Sequence, residues 1–253
     1  MLLKDIFSLS RVIIYYSLTF YLFVMSFIPI FLYFFLMVDS RNLYFYILAP
    51  INLFILYLFT CLIFALSHSI TTKIFLPSLK SGWHNRKTWE GRLQGARISS
   101  DHIMKSMIRL LSFIPFLNQM VLFKFFLRFY GLKAGKGVYF AQTSHFDSPL
   151  LEIGDGTFVG YEALISCHIN DGDMLYINRV KIGKNCMIGG RTIITPGVTI
   201  GDNVTVGTNA LILKDTECPS NSIWIGFPAK QYEKKKKLKS KGLIQFINQE
   251  YFL

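Results

Sequence analysis

Two short segments of this 253-residue chain carry side chains that could do acid–base chemistry. One contains His168, which is followed by an Asn-Asp-Gly-Asp turn at residues 170–173. The other contains His145 and Asp147. An imidazole with an ordinary pKa of about 6.5 can take up a proton near neutral pH, so each histidine could take part in acid–base chemistry. The alternatives are a surface residue without a role for His168 and a structural residue for His145.

The residues after this turn repeat with a period of six, which suits neither an α-helix nor a hairpin sheet. The period is typical of a parallel β-helix in which each hexad forms one wall of a triangular prism. Glycine follows four of the aliphatic residues and is predicted to relieve the tight turn between walls. The aliphatic residues, which should point into the prism, are Ile182, Ile188, Ile194, Ile200, Val206 and Ile212.

Three earlier hexads are out of phase with this set and begin at Ile153, Val159 and Ile165. The phase shift predicts an inserted loop with His168 at its base. The weaker pattern at 138–149 predicts the first coils. The exposed strand edges at the end of a β-helix need a cover, and the apolar spacing in 242–252 predicts a short capping helix there.

The N-terminal third is different in composition. Residues 12–38 and 42–72 contain no charged side chain, and the short link between them carries one basic residue, Arg41. Each stretch exceeds the ~20 residues that span a bilayer, and we expect two transmembrane helices at about 12–38 and 44–67. The alternative is a pair of buried helices in a soluble core. The basic residues lie mainly outside this hairpin, which predicts that both termini and the prism are cytoplasmic, in an integral inner-membrane protein.

The region between the spans and the prism is less informative. Residues 81–102 are polar and read as a connector. Residues 103–131 are apolar but carry two pairs of basic residues at a spacing of four, which favours interfacial helices with a basic face toward lipid headgroups; buried helices packed on the prism are the alternative. The lysine-rich run 234–241 could bind lipid, the phosphates of a cofactor or only water. We expect no nucleic-acid partner.

From Gly154 to Lys230 the chain resembles the hexapeptide-repeat acyltransferases, in particular the galactoside, maltose and streptogramin acetyltransferases. The organisation as a whole also resembles the membrane-bound terminal domains of poly-lysine synthetase-like enzymes, which join membrane helices to a similar prism. The segments that carry the first resemblance are His168, Gly172-Asp173-Met174, Ile182-Gly183, Ile188-Gly189, Pro196-Gly197-Val198-Thr199-Ile200-Gly201-Asp202, Lys214-Asp215 and Gly226-Phe227-Pro228-Ala229-Lys230.

The residue patterns and the resemblance together predict an α + β protein: transmembrane and interfacial helices, then a left-handed parallel β-helix with a capping helix. The resemblance also implies a homotrimer. The expected divisions are a transmembrane hairpin (1–72), a connector with interfacial helices (73–131), the β-helix domain (132–230) and a basic segment with the capping helix (231–253).

The resemblance further implies the roles of individual residues. His168 would be the general base, with Asp147 and His145 as further candidates at the catalytic site. A backbone N–H from the Gly189-Gly190 turn could hold the oxyanion. Cys167 is better explained as a small core residue than as a nucleophile. The residues implied in coenzyme A binding are Gly190, Thr208, Lys214, Gly226, Pro228 and Lys230.

These expectations together predict an acyltransferase that uses acetyl-CoA or another acyl-CoA and an O- or N-acceptor presented at the membrane. Two alternatives remain open: amide-bond formation with an aminoacyl donor, and a non-catalytic trimeric scaffold. A γ-class carbonic anhydrase would need three histidine ligands, but only His145 and His168 lie in the predicted prism. We therefore expect no metal.

Overall fold

The computed structural model describes residues 3–39, 43–109, 127–128, 130–141 and 143–233. These residues form an N-terminal helical region and a C-terminal domain made of short strands. The α-helices are α1 (Leu3–Ser26), α2 (Ile28–Asp39), α3 (Leu43–Phe75) and α4 (Trp89–Arg109). The predicted capping helix at 242–252, the lysine run at 234–241 and most of the predicted interfacial segment after Arg109 lie outside the described residues.

Helices α1, α2 and α3 contain two segments, Leu9–Leu36 and Tyr46–Phe75, that are long and apolar enough to span a membrane. The first segment crosses from α1 into α2, and Pro29 lies at the start of α2, where proline is tolerated. Only 11% and 17% of the two segments is buried, so the rest of the described chain does not enclose these helices. This exposure argues against the alternative of two helices buried in a soluble core.

The strands are too short for an ordinary sheet because the chain turns after each hexad. Strand β1 (Gly82–Asn85) precedes α4. The strands that follow α4 are β2 (Lys133–Ala134), β3 (Tyr139–Phe140), β4 (His145–Phe146), β5 (Leu151–Ile153), β6 (Phe158–Val159), β7 (Leu164–Ile165), β8 (His168–Asp171), β9 (Met174–Ile177), β10 (Val180–Ile182), β11 (Met187–Ile188), β12 (Ile193–Ile194), β13 (Thr199–Ile200), β14 (Thr205–Val206), β15 (Leu211–Ile212), β16 (Glu217–Cys218), β17 (Ile223–Gly226) and β18 (Ala229–Gln231).

These strands stack as three parallel sheets that form the walls of a prism. The sheets are β2-β5-β10-β13-β16, β3-β6-β11-β14-β17 and β4-β7-β12-β15, and β18 joins the end of the second sheet as an antiparallel strand. Ile182 is in register with Ile200, three hexads later, and Ile194 is likewise in register with Ile212. The predicted coil of three hexads per turn is therefore confirmed. Its left-handed sense stays a prediction.

The predicted inward orientation of the aliphatic residues is confirmed, because all six are between 0% and 4% exposed. The expected role of glycine needs a correction. At the corners the left-handed backbone conformation is adopted by residues such as Asn185 and Asn203, not by the glycines after the aliphatic residues. Gly183 and Gly189 are needed instead for close approach between coils: a Cβ atom on Gly189 would lie 2.5 Å from the backbone nitrogen of Thr208.

The inserted segment after His168 is a β-hairpin of β8 and β9, with Gly172 in the turn at φ +53°. Strand β1 pairs with β9 in antiparallel register and makes a small three-stranded sheet in the order β1-β9-β8. The expectation that 81–102 is only a connector was therefore wrong. This segment supplies β1 and the first two-thirds of α4.

Helix α4 contacts both the N-terminal helices α1 and α3 and the C-terminal domain. The backbone carbonyl of Ser100 contacts His68 Nε2 of α3 at 3.1 Å. One residue later, Asp101 accepts a hydrogen bond from the backbone N–H of Ser148 at 3.1 Å. Lys105, which we expected on a basic face toward lipid, has a side chain only 13% exposed and pairs with Asp101. For this part of 103–131, the interfacial interpretation was wrong, because a buried carboxylate draws the lysine inward.

Candidate active site

The structure brings two of the predicted site residues together. His168 Nδ1 and Asp147 Oδ2 are 2.7 Å apart. The stacking of coils explains this contact, because β4 and β7 are parallel neighbours with Phe146 opposite Ile165. The residues that follow these two strands must therefore meet at the same corner of the prism.

The Asp147 carboxylate is held by further donors from the neighbouring coil. The backbone N–H of Cys167 donates to its Oδ2 at 2.7 Å, and the Ser166 hydroxyl lies 3.3 Å from the same atom. Burial by itself would raise the pKa of Asp147, but the hydrogen bond from His168 and the charges of His168 and Lys105 bring it below its ordinary value. Asp147 is therefore ionised at neutral pH.

An ionised carboxylate can only accept hydrogen bonds, so the proton of a neutral His168 resides on Nδ1. Its Nε2 atom then has a free lone pair and can accept a proton. This arrangement orients the imidazole and stabilises the imidazolium that proton uptake produces. The pair has the geometry of a general base with an orienting carboxylate.

The second predicted histidine has a different environment. His145 is exposed on β4 and lies opposite Leu164, whereas the two residues that follow it are buried. Its catalytic role stays a prediction. Cys167 is 1% exposed, and burial raises the pKa of its thiol far above the ordinary value. This supports the interpretation of Cys167 as a small core residue, because the thiolate form is strongly disfavoured.

A third ionisable residue at the site, His102 on α4, was missed by the sequence interpretation. His102 Nε2 lies 3.8 Å from Asp147 Oδ1, and its ring is edge-on to that of His168, with 72° between the planes and 6.2 Å between the centroids. Partial burial, and then the charge of Lys105, lower the pKa of His102, which makes it neutral at neutral pH. No local pattern could have shown this contact, because it depends on how α4 packs.

The same helix is fixed by a buried ion pair next to the site. Lys105 Nζ lies 2.5 Å from Asp101 Oδ2, and the Asp101 side chain is 1% exposed. The lysine also lies over the Phe146 ring, 5.0 Å from its centroid. With the Ser148–Asp101 hydrogen bond, this places α4 against the segment that carries Asp147. The spacing of four between Asp101 and Lys105 was the one available signal in the sequence.

A pocket of about 630 Å³ opens beside the histidines. Its walls are the first half of α4, the turn before it and the β8–β9 hairpin. The residues that line it are Arg86, Lys87, Gly91, Arg92, Gly95, Ile98, Ser99, His102, His168, Asn170, Gly172, Asp173 and Leu175. The volume is in the usual range for small-molecule sites. Among the described residues, no group of three or more His, Cys, Asp or Glu side chains could hold a metal ion.

The residues predicted to bind coenzyme A fall on two different corners of the prism. Gly190, Thr208 and Gly226 follow or end β11, β14 and β17, which stack in one sheet. Pro228, in a cis peptide with Phe227, and Lys230 belong to the terminal β17–β18 hairpin. The N–H of Gly189 already donates to Val206 O at 2.8 Å, so this atom is not available for the predicted oxyanion contact.

Lys214 follows β15 and lies on the same corner as His168, higher in the stack. Its Nζ atom lies over the rings of Trp83 and Tyr176, at 5.0 Å and 5.5 Å from their centroids. Tyr176 also donates a hydrogen bond to Asp215 at 2.7 Å. These contacts fasten the β1-β9-β8 sheet to the prism. A role of Lys214 toward coenzyme A stays a prediction.

The repeat is similar in sequence to known proteins. Residues 179–214 match the family model described as the hexapeptide repeat of succinyl-transferase. The Bacillus subtilis putative acetyltransferase YvoF is 35% identical over 112 residues, which cover 43% of this chain and 63% of that protein. The Escherichia coli galactoside O-acetyltransferase is 30% identical over 91 residues, which cover 33% of this chain and 44% of that protein.

A third relative, the delta-poly-L-ornithine synthetase of Acinetobacter baumannii, is 26% identical over 118 residues, which cover 47% of this chain but 9% of that protein. The chain thus spans less than two thirds of each of these relatives. A solved maltose O-acetyltransferase from Clostridium difficile is similar to it with a TM-score of 0.43 at 23% identity, covering 55% of this chain and 89% of the other. The matched repeat and these relatives support a likeness of the C-terminal domain of this chain to the hexapeptide-repeat acyltransferases.

Proposed function

We propose that this chain is a membrane-anchored acyltransferase that uses acyl-CoA, with His168 as its general base. The observation that carries the proposal is the 2.7 Å contact between His168 Nδ1 and the Asp147 carboxylate at the edge of a pocket. Proton transfer by a positioned imidazole typically contributes about 10²–10⁴-fold to a rate.

The proposed reaction is a direct transfer of the acyl group from the thioester to the acceptor. A hydroxyl or amine of the acceptor attacks the carbonyl carbon of the thioester, and His168 Nε2 takes up its proton as the new C–O or C–N bond forms. The tetrahedral intermediate then collapses and the C–S bond breaks. The imidazolium of His168 protonates the departing sulfur, so coenzyme A leaves as its thiol and His168 returns to its neutral form. Asp147 remains ionised throughout and stabilises the imidazolium.

Acetyl-CoA is the simplest donor, and two of the relatives described above are named as acetyltransferases. The candidate residues for coenzyme A lie on two corners of one prism. A groove between two copies would join one corner of the first copy to the other corner of the second. This favours a homotrimer in which each active site lies between subunits.

The membrane anchor is proposed from the two long apolar segments, whose side chains are largely exposed. Large aromatic residues on them, such as Phe20 at 69% and Phe35 at 74% exposure, would be covered by lipid. The distribution of basic residues favours a cytoplasmic prism and cytoplasmic termini. The anchor would hold the enzyme next to an acceptor that is presented at the same membrane surface.

The test is transfer of radiolabel from acetyl-CoA to a membrane extract by the detergent-solubilised protein. We expect His168→Ala to lower the rate by about 10²-fold or more with unchanged oligomeric state. Lys136→Ala, an exposed residue outside the pocket, serves as the control variant. A His168→Ala protein with wild-type turnover would remove His168 from the mechanism, and loss in His145→Ala alone would transfer the role to His145.

The similarity to delta-poly-L-ornithine synthetase supports a second candidate, amide-bond formation with an aminoacyl donor. The same base would then take the proton from an attacking amine. Offering the purified protein acetyl-CoA and an aminoacyl thioester in parallel separates the two functions. Transfer from the aminoacyl thioester alone would replace the acetyl-CoA proposal.

A further inference from the structure

We propose that the pocket beside His168 binds the acceptor, and that the acceptor carries a phosphate or pyrophosphate group held by Arg86 and Arg92. The inference rests on the proposed function and adds the chemical class of the substrate. It is supported by the charge and the shape of the pocket. It is also supported by the β1-β9-β8 sheet, whose two faces separate this pocket from Lys214.

The β1-β9-β8 sheet has two faces with different neighbours. Its register places His168 opposite Ile177 and Asn170 opposite Leu175, and side chains on such directly opposed pairs share one face. His168, Asn170 and Leu175 line the pocket. Tyr176 alternates with these residues and so lies on the other face, where it meets Lys214.

The pocket therefore has its own cations, separate from Lys214. Three basic side chains line it, against one carboxylate, Asp173. Asp173 is already paired with Lys87. Within the described parts of the chain, no carboxylate oxygen lies within 4.0 Å of the guanidinium groups of Arg86 or Arg92. Two guanidinium groups thus remain available for an anionic ligand.

Both arginines are placed by other contacts. The backbone N–H of Arg86 donates to the carbonyl of Asp173 at 2.8 Å, which ties this turn to the β8–β9 hairpin. Arg92 lies over the Trp89 ring, with its guanidinium carbon 5.0 Å from the centroid. A planar guanidinium matches two phosphate oxygens at once, which a lysine cannot do. This favours an anionic group such as a phosphate over a neutral acceptor such as a simple sugar.

The helix that forms the opposite wall leaves room for such a ligand. Gly91 must be small because a Cβ atom there would lie 2.0 Å from the Asn85 carbonyl oxygen. Gly95 has no such constraint, since a Cβ atom there would meet nothing within 4 Å. Gly95 also lines the pocket, so a larger residue at this position would occupy the ligand space without disturbing the packing of α4.

The experiment uses the full chain in detergent and two acceptor sources, the lipid phase and the aqueous phase of a chloroform–methanol extract. A lipid-linked phosphate would partition into the first phase and a nucleotide-linked acceptor into the second. We measure label transfer from acetyl-CoA to each phase, with inorganic pyrophosphate as a competitor. Binding of pyrophosphate alone is measured by titration calorimetry, which does not depend on turnover.

We expect pyrophosphate to compete with the acceptor and not with acetyl-CoA. Arg86→Ala and Arg92→Ala should each weaken pyrophosphate binding and raise the half-saturating amount of acceptor by about tenfold, the effect of losing a charge-assisted hydrogen bond, while the half-saturating acetyl-CoA concentration stays unchanged. Gly95→Trp should block transfer. Lys136→Ala, which lies outside the pocket, is the control and should retain it.

Three results would overturn the inference. They are pyrophosphate binding that is the same in both arginine variants, competition with acetyl-CoA instead of the acceptor, and a labelled product without phosphorus. If wild-type protein still transfers label and His168→Ala does not, each of these results leaves the proposed acyltransferase intact. Arginine-dependent pyrophosphate binding without any transfer would instead reject the acyltransferase and leave the anion site.

Discussion

The coils of the prism and helix α4 both contribute to the candidate site, but their residues carry different kinds of information. In the coils, Ile182, Ile188 and Ile194 occupy equivalent positions, and each fills the core of the prism, with at most 4% exposure. In α4, neighbouring residues have different contacts. Ser100 contacts α3, Asp101 contacts the prism, and His102 lies beside the His168–Asp147 pair, here called the dyad. A repeat can therefore be interpreted residue by residue from its period, whereas α4 can be interpreted only from its neighbours.

The two regions also contribute to the candidate site in two different ways. The dyad of His168 and Asp147 follows from coil stacking, which brings equivalent corners together without any special contact. The pocket beside it depends on parts outside the repeat, namely α4 and the β1-β9-β8 sheet. The prism supplies the candidate base, and the added elements supply the pocket beside it.

The largest effect is expected from a variant that breaks the contact between α4 and the prism. Lys105→Ala leaves the Asp101 carboxylate buried without its partner, which typically costs about 3–5 kcal/mol. We expect α4 to detach from the Asp147 segment, with a lower midpoint of thermal unfolding and loss of transfer. Asp101→Asn with Lys105→Met should restore much of the stability, because no buried charge remains. A Lys105→Ala protein as stable as the wild type would show that the pair does not hold α4.

A somewhat smaller effect is expected inside the repeat. Ile194→Ala removes a side chain that is 0% exposed, and such truncations typically cost about 2–5 kcal/mol. Leu213→Ala is the matched control, because Leu213 is 50% exposed and surface changes usually stay within about 0.5 kcal/mol. The free energy of unfolding from urea titration checks both. Equal losses at the two positions would contradict the inward orientation of the hexad residues.

The dyad gives a prediction that depends on pH. The pKa of Asp147 lies below its ordinary value of 3.8 in the folded protein. Its contribution to stability is therefore complete above that ordinary value and is lost as the pH falls through the lower, folded value. Asp147→Asn should remove this part of the acid dependence of unfolding.

At neutral pH the same variant should lower transfer by about 10²-fold, since an amide neither fixes the Nδ1–H form nor stabilises the imidazolium. The measurements are unfolding curves from pH 2 to 7 and initial rates at pH 7. An unchanged rate in Asp147→Asn would show that His168 does not need this carboxylate.

The smallest effects on stability are expected from alanine substitutions at two glycines, and these effects should have opposite signs. Gly95→Ala in α4 adds a methyl group in open space, so it should stabilise the helix by up to about 1 kcal/mol. Gly189→Ala in the prism places the methyl group 2.5 Å from the Thr208 nitrogen and should destabilise. Denaturation of both variants under the same conditions tests the contrast. Stabilisation by both would mean that the coils are less closely packed than their register indicates.

Much of the prism was predictable because its stabilising contacts repeat locally. The period located the inward residues, and the break in phase located the hairpin with His168. The pairing of His168 with Asp147 was within reach because both follow strands of one wall. The roles of Gly183 and Gly189 could not be predicted in this way. The period does not show whether a glycine is needed for a left-handed backbone conformation or for close approach of the neighbouring coil.

Helix α4 shows what was beyond prediction. His102 and Asp147 are 45 positions apart in sequence, and no local signal connects them. Lys105 was assigned to a lipid-facing surface because amphipathic spacing describes only one helix at a time. Its actual partner, Asp101, is on the same helix, but the burial that makes the pair important comes from the prism.

The amino-acid sequence alone determined the repeat, the apolar N-terminal segments and the candidate base His168. Each of these depends on spacing or composition along the chain, which short-range sterics and hydrophobicity convert directly into structure. Only the tertiary structure decided that α4 lies against the dyad, that His102 joins the site and that Arg86 and Arg92 border one pocket. These features depend on the packing of segments far apart in sequence, and packing energy is a property of the assembled surfaces and not of any segment alone.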